Sequence, residues 1–167
     1  MGIQQQAVAA PTPRELRQAF SAFPTGVVAV CGLVDGAPVG MAVNSFSSTS
    51  LEPPLVAISV ARTSATWPRL AGRRLGLSVL SVGQDAVCRR LAAREGDRVD
   101  GTPWHASADG AVFIADAALW LDCAVRSVYD GGDHEIVVLS VLGVDAFPDV
   151  DPLVFHQSRF HVIQGAS

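Results

Sequence analysis

Lysine is absent from this sequence: all 12 of its basic residues are arginines. A Walker A loop needs a lysine beside the phosphates, and a pyridoxal Schiff base forms only on a lysine amine. P-loop nucleotide hydrolysis, pyridoxal chemistry and any lysine nucleophile or base are therefore excluded.

Charge is scarce as well, since charged residues make up 17% of the 167 residues and the net charge is −4. A chain with this net negative charge lacks the excess of basic residues that binds a nucleic acid backbone, so we expect no nucleic acid partner. Long apolar runs are also missing: 49% of the residues are hydrophobic, but no run approaches the roughly 20 residues that span a bilayer. We therefore expect no membrane association, and the aliphatic content excludes intrinsic disorder.

Cysteine is sparse, with Cys31, Cys88 and Cys123 at wide spacings and no C-x-x-C pair. An odd number of such residues favours buried free thiols in a reducing compartment over disulfides or a zinc site. The N-terminus has no basic segment followed by an apolar one, as a signal peptide would. The sequence thus predicts a cytoplasmic protein.

Standard catalytic motifs are missing too, among them G-x-G-x-x-G, G-x-S-x-G and H-E-x-x-H. This sets aside a classical dinucleotide-binding domain, an α/β-hydrolase and a zincin. His156 and His161 stand five residues apart, too sparse a pattern for a metal site, so no metal is expected.

The elements that are present alternate short strands with turns. Residues 1–11 show no hydrophobic periodicity and are predicted to form a flexible arm. Residues 12–167 are predicted to form one domain. Thr12, Pro13 and Glu15 match a capping box that begins a helix. An Asp35-Gly36 turn predicts a β-hairpin, and later runs bring the count to about seven or eight strands. Because neighbouring strands are mostly linked by turns, the fold class predicted is mainly β, an antiparallel barrel with a few peripheral helices.

Two hydroxyl-rich segments follow predicted strands. The run from Asn44 to Ser50 is interpreted either as an ordinary Ser/Thr-rich loop or as an anion cradle. The segment from Arg62 to Thr66 places an arginine, hydroxyls and a helix N-terminus together, which suits a phosphorylated ligand. A third feature is the predicted turn Gly131-Gly132-Asp133-His134, which places a histidine at the start of a strand. This histidine either has a structural role or donates a hydrogen bond to a ligand.

Taken together, the motifs resemble those of the flavin reductase-like family, the small NAD(P)H:flavin oxidoreductases of two-component flavin-dependent monooxygenases. The resemblance covers residues 12–163, and its most specific part is the pattern N-S-F-x-S-x-S-x-x-P-P-L-V at 44–56. The other matching segments, in the order expected, are Phe23 to Val27, Gly40 to Val43, the Ser64 and Thr66 pair, Val79-Leu80, Asp122-Cys123 and Gly132-Asp133-His134.

This resemblance implies a split β-barrel of the FMN-binding, Greek-key-like type that forms a homodimer, with FAD or FMN near the subunit interface. It implies that the isoalloxazine is lined by Gly40, Met41, Ala42, Val43, Asn44 and Ser45. The ribityl chain and phosphate would be held by Ser47, Ser48, Val60, Ala61, Arg62, Ser64 and Thr66. His134 would be the catalytic residue on the nicotinamide side, near Phe155, Arg159 and Phe160.

The function it implies is hydride transfer from NADH or NADPH to FMN or FAD, with the reduced flavin diffusing to a partner monooxygenase. Such a transfer depends on ring positioning more than on acid or base help. Two alternatives stay open: a flavin-binding carrier without reductase turnover, and a non-enzymatic interaction module. The family usually has aromatic residues at the positions of Leu91 and Val99, and a tyrosine at that of Phe160. The choices of FAD or FMN and of NADH or NADPH therefore also stay open.

Overall fold

The computed structural model describes residues 9–164, so residues 1–8 of the predicted arm lie outside the described residues. Three short helices are present: α1 (Pro13–Phe20), α2 (Trp67–Leu70) and α3 (Asp85–Ala92). The strands are β1 (Thr25–Gly26), β2 (Val28–Val34), β3 (Ala37–Val43), β4 (Ser47–Leu51), β5 (Pro54–Ala61), β6 (Arg74–Val79), β7 (Trp104–Ala106), β8 (Val112–Ile114), β9 (Leu119–Gly131), β10 (His134–Ala146), β11 (Leu153–His156) and β12 (Arg159–Val162). No helix among these residues is long and apolar enough to cross a membrane.

Seven of the strands form one antiparallel sheet in the order β3-β2-β6-β9-β10-β5-β4. A three-stranded sheet, β1-β11-β12, and the hairpin β7-β8 accompany it. The predicted mainly β, antiparallel fold with few helices is confirmed. Over the described residues β3 and β4 are the two edges of the large sheet and do not pair with each other, so hydrogen bonds do not close it into a barrel.

Strand β2 lies at the centre of the core and is buried on both faces. Because side chains alternate along a strand, Val28 and Val30 contribute to one hydrophobic cluster and Ala29 and Cys31 to another. The first cluster lies beneath β5, β6, β9 and β10, and the second lies beneath α3, β8 and β11. Helix α3 packs against the edge strand β3 of the large sheet.

Helix α1 begins as the sequence predicts. Thr12 Oγ1 accepts a hydrogen bond from the Glu15 N–H at 3.3 Å, and the Glu15 carboxylate accepts one from the Thr12 N–H at 2.7 Å. None of its residues is buried, however, and Phe20 is 70% exposed. The apolar side chains of this helix, Leu16 and Phe20 among them, are therefore not buried within the described part of the chain.

Two local features differ from what the sequence pattern indicates. The hydroxyl-rich run is not only a loop, because Ser47–Leu51 pair with β5 as its edge strand. The stretch after α3, which has no strand pattern, contains the hairpin β7-β8. In both places tertiary pairing outweighs the weak strand preference of the sequence.

The three cysteines are free and buried, as predicted. Burial raises the pKa of Cys31 and of Cys123 to about 12, and that of Cys88 above its usual range. All three thiols are protonated near neutral pH, which excludes a cysteine nucleophile because the thiolate is the reactive form.

Candidate active site

The candidate site lies where the end of β3, the end of β5 and the start of β10 meet. Strand pairing sets this arrangement, because His134 lies opposite Ala61 in the β5-β10 register. A cavity of about 320 Å³ opens between these strand ends and α3. Its lining consists of Met41, Ala42, Val43, Asn44, Ser45, Ser59, Val60, Ala61, Ser64, Leu91, Ala92, Arg98 and His134. We call it the ring cavity.

Two further cavities open on the same strand ends. One, of about 380 Å³, shares Ala42, Val43 and Asn44 with the ring cavity and extends between α3 and Phe160. The other, of about 720 Å³, shares Asn44 and His134 with it and extends to Phe23 and Phe155. Asn44 lines all three. A ligand in the ring cavity can therefore be approached from the side where His134 and the aromatic residues lie.

Ser45 joins the end of β3 to β5. Its hydroxyl donates to the Ser59 carbonyl and accepts from the Ser59 N–H, both at 2.9 Å. Because the single donor of this hydroxyl is used within the protein, the Ser45 side chain has no hydrogen to donate to a ligand.

Ser64 shapes the turn after β5. Its N–H donates to the Ala61 carbonyl at 2.9 Å, and its Oγ accepts from the Trp67 N–H at 3.1 Å, which caps α2. Thr66 stands at the N-cap but its hydroxyl does not make this bond. Ser64 is therefore the side chain that satisfies the first N–H of α2.

His134 is held by its neighbour in sequence. Its Nδ1 lies 2.7 Å from Asp133 Oδ1, and its side chain is 43% exposed. The imidazole holds the pKa of the Asp133 carboxyl below its usual range, by hydrogen bonding first and charge second. With Nδ1 bound to Asp133, Nε2 is the ring nitrogen left for a ligand.

Aromatic residues and one unpartnered hydroxyl line the space beside His134. Phe155 and Phe160 pack with ring centroids 5.5 Å apart, and the Arg89 guanidinium lies 5.2 Å from the Phe160 centroid. Thr25 Oγ1 is buried without a hydrogen-bond partner in the described structure, and Thr25 lines the larger cavity. A buried hydroxyl of this kind fits a site that takes a polar ligand.

The structure brings together most of the residues that the sequence singled out. Of the predicted site residues, the ring cavity gathers Met41, Ala42, Val43, Asn44, Ser45, Val60, Ala61, Ser64 and His134. Phe155 and Phe160 line the neighbouring space. Gly40 and Thr66 line an adjoining cavity.

Four predicted residues lie elsewhere. Ser47 and Ser48 are exposed on the edge strand β4, and they and Arg159 line none of these cavities. Arg62 is occupied by the β9-β10 hairpin: it pairs with Asp130 at 2.5 Å and with Glu135 at 3.4 Å, and donates to the Gly132 carbonyl at 2.9 Å. These contacts engage the Arg62 guanidinium within the protein, and a role for Arg62 at a phosphate stays a prediction.

Sequence reasoning missed Arg98 altogether. Arg98 donates to Thr66 Oγ1 at 2.7 Å and to the Arg94 carbonyl at 3.2 Å, and it lines the ring cavity. It belongs to an irregular loop after α3, where no periodicity indicates which way a side chain points.

No three His, Cys, Asp or Glu side chains gather into a metal-binding group in the part of the chain described.

Comparison with known proteins gives consistent matches over nearly the whole chain. Residues 20–164 match the Flavin reductase like domain. A flavin reductase of Pseudomonas putida is 38% identical over 89% of this chain and 88% of its own length. The HsaB reductase subunit of a flavin-dependent monooxygenase from Rhodococcus jostii is 34% identical over 91% and 78%. The FMN reductase (NADH) SmoA of Agrobacterium fabrum is 37% identical over 88% and 84%.

A solved structure shares the fold. The NADH:FAD oxidoreductase SgcE6 of Streptomyces globisporus, in complex with NAD and FAD fragments, superposes with a TM-score of 0.86. It is 36% identical, and the match covers 95% of this chain and 98% of that one. On these matches, the chain belongs to the flavin reductase-like family.

Proposed function

We propose that this chain is an NAD(P)H-dependent flavin reductase that transfers a hydride from the nicotinamide to FMN or FAD and supplies reduced flavin to a partner monooxygenase. The observation that carries the proposal is the ring cavity, where the free edge of β3, the end of β5 and His134 meet. The kinds of protein that match the chain, a monooxygenase reductase subunit among them, support the same activity.

The residues of the ring cavity fit a flavin. Strand β3 is an edge strand, so one row of its backbone N–H and C=O groups is not used in pairing. Backbone groups between Gly40 and Ser45 would meet the polar edge of the isoalloxazine, and the apolar side chains of Met41, Val43 and Leu91 would cover its faces. When bound, the flavin supplies the electron-accepting ring of the reaction.

The other roles fall to groups at the strand ends. Val60, Ala61 and Ser64 border the path of the ribityl chain. His134, held by Asp133, would orient the nicotinamide through Nε2, and Phe155 and Phe160 would shield the reacting rings from water. Because ring positions dominate this chemistry, a general base is not needed.

We further propose a homodimer and a split-barrel architecture. The exposed aromatic residues Phe20 (70%) and Phe23 (76%) stand beside the cavity that contains His134. A partner subunit that covers them would bury the apolar face of α1 and enclose the nicotinamide side. One domain over residues 12–167 and a cytoplasmic location complete the proposal, and the buried free thiols agree with a reducing compartment.

The experiment is NADH and NADPH oxidation by the purified protein with FMN, FAD or riboflavin, followed at 340 nm, together with flavin binding by fluorescence quenching. Accelerated oxidation in at least one combination is expected. Flavin binding without accelerated oxidation would make the protein a carrier, and neither binding nor oxidation would make it a non-enzymatic module. Coupled product formation with a separate monooxygenase tests the supply of reduced flavin.

A further inference from the structure

A second cavity adjoins the ring cavity and is rich in arginine. It has a volume of about 370 Å³ and lies between the first residues of β3, the start of α2 and the loop that follows α3. Arg69, Arg94 and Arg98 all line it. We call it the arginine cavity. A quarter of the 12 positive charges of a chain with a net charge of −4 thus lie around one opening.

These three arginines are not neutralised by acidic side chains. Within residues 9–164 none of them forms an ion pair, whereas Arg62, Arg74 and Arg89 do. Arg98 is half-buried and is held from both sides, by Thr66 Oγ1 and by the Arg94 carbonyl. A guanidinium fixed in this way still has N–H donors to offer to a ligand.

Two acidic residues also line the arginine cavity. Asp97 accepts hydrogen bonds from the backbone N–H groups of Val99 and Asp100, at 3.1 and 3.2 Å, which engages its carboxylate in its own loop. Glu95 is exposed and makes none of the hydrogen bonds described. Three positive against two negative charges leave the lining with an excess positive charge, and guanidinium groups suit phosphate because they bind it bidentately.

The arginine cavity continues the ring cavity, since Arg98 lines both. A flavin seated in the ring cavity would bring its first phosphate to Arg98 and Thr66. A longer ligand would pass Arg98 and reach Arg94 and Arg69. The larger cavity on the nicotinamide side, which His134 also lines, does not include these arginines.

We infer that the arginine cavity binds the diphosphate and adenylate portion of FAD, so that this enzyme binds FAD in preference to FMN. The inference rests on the proposed function for the position of the flavin ring. The shared chemistry is the diphosphate of a dinucleotide, and NADH and NADPH, which both carry one, are its other sources. The continuity through Arg98 assigns the cavity to the flavin.

The test measures dissociation constants of riboflavin, FMN and FAD on the full chain by flavin fluorescence, without nicotinamide. For the wild type, FAD is expected to bind about tenfold or more tightly than FMN, the scale of one added charge-assisted contact. Arg94→Gln and Arg69→Gln should weaken FAD about tenfold and leave riboflavin and FMN within about twofold. Arg98→Gln should weaken both FMN and FAD, but not riboflavin.

Arg73→Gln is the matched control. Arg73 lies near Arg69 but does not line the arginine cavity, and it donates only to the backbone carbonyls of Arg69 and Leu33. It should leave all three constants unchanged, and thermal melts confirm that each variant is folded.

Equal affinities for FAD and FMN, or no selective loss of FAD in the Arg94 and Arg69 variants, would overturn the inference. So would a variant that raises the KM for NADH or NADPH and leaves FAD binding intact, because the phosphate would then be that of the nicotinamide dinucleotide. Failure to bind even riboflavin would instead overturn the proposed position of the flavin. Tight FAD binding without NAD(P)H oxidation would overturn only the reductase activity.

Discussion

Gly40 stands directly opposite Cys31 in the β2-β3 ladder, on the strand that borders the ring cavity. A Cβ atom placed on Gly40 would overlap Cys31 Sγ and would come within 3.1 Å of Leu91 Cδ2. Cys31 is fully buried and Leu91 is 1% exposed. Cys31 has no open space to move into, and Leu91 can give way only toward the ring cavity that it lines, so alanine at position 40 should strain the contact between β3 and α3.

The magnitude follows from what must move. Adding one methyl group to a well-packed core costs about 1–3 kcal/mol. Cys31 is fully buried and cannot yield, whereas Leu91 can shift toward the ring cavity, which places Gly40→Ala near the middle of that range, about 2 kcal/mol. For a chain of this size that loss lowers Tm by about 4–8 °C. Flavin affinity should fall in the same variant, because Leu91 is displaced toward the ring cavity that it lines.

Urea unfolding of a double-mutant cycle isolates the cause. Cys31→Ala alone should cost about 1 kcal/mol for the buried atom it removes. Gly40→Ala made on top of Cys31→Ala should cost about 1 kcal/mol less than it does in the wild type, because Sγ is gone. Gly26→Ala is the control, since nothing lies within 4 Å of its added Cβ. A Gly40→Ala cost that is the same in both backgrounds would refute the steric explanation.

Four other changes test the site and the fold. His134→Ala should raise the KM for NADH severalfold and change the flavin dissociation constant less, measured by steady-state kinetics and fluorescence quenching; an unchanged KM and rate would remove that role. Since His134 lowers the pKa of Asp133, their contact should survive acidification through the ordinary aspartate range and break only at lower pH; a carboxyl NMR titration with an ordinary pKa would contradict this. Gly76→Ala would bring a Cβ within 2.6 Å of the Val112 carbonyl carbon and should cost about 3 kcal/mol in urea unfolding, whereas Gly143→Ala, at 3.4 Å from its nearest neighbour, should cost little. Phe20→Asp should shift the protein toward monomer in sedimentation velocity, and an unchanged mass would exclude α1 from the interface.

Local signals in the sequence were enough for much of the fold. The capping box at Thr12 and the Asp35-Gly36 turn act over a few residues, and both features formed where they were predicted. Strand β4 was not predicted, because serine and threonine have only a modest strand preference and its pairing partner β5 decides the outcome. The hairpin β7-β8 is too short to show a period.

The candidate site likewise contains residues that local motifs predict and residues whose positions depend on distant contacts. Asn44, Ser45 and His134 were singled out from motifs, and strand register brings them to one cavity. Arg62 was expected beside a phosphate because nothing in its own segment reveals that Asp130 and Glu135 lie next to it. Arg98 was missed because it lies in an irregular loop whose sequence does not indicate where the side chain points. Its orientation is set by the hydrogen bond to Thr66, which is distant in sequence.

The pairing of β5 with β10 also has a consequence for how the protein is made. Ala61 and His134 are neighbours in space but lie far apart along the chain, and a ribosome adding about 5–20 residues per second needs several seconds to synthesise what lies between them. Until β10 emerges, β5 has only β4 beside it and its other edge is unpaired. A nascent chain therefore exposes an apolar strand edge, of the kind that aggregates, and gains flavin affinity only late in synthesis. Expression with excess flavin should for this reason assist the last stage of folding rather than the first.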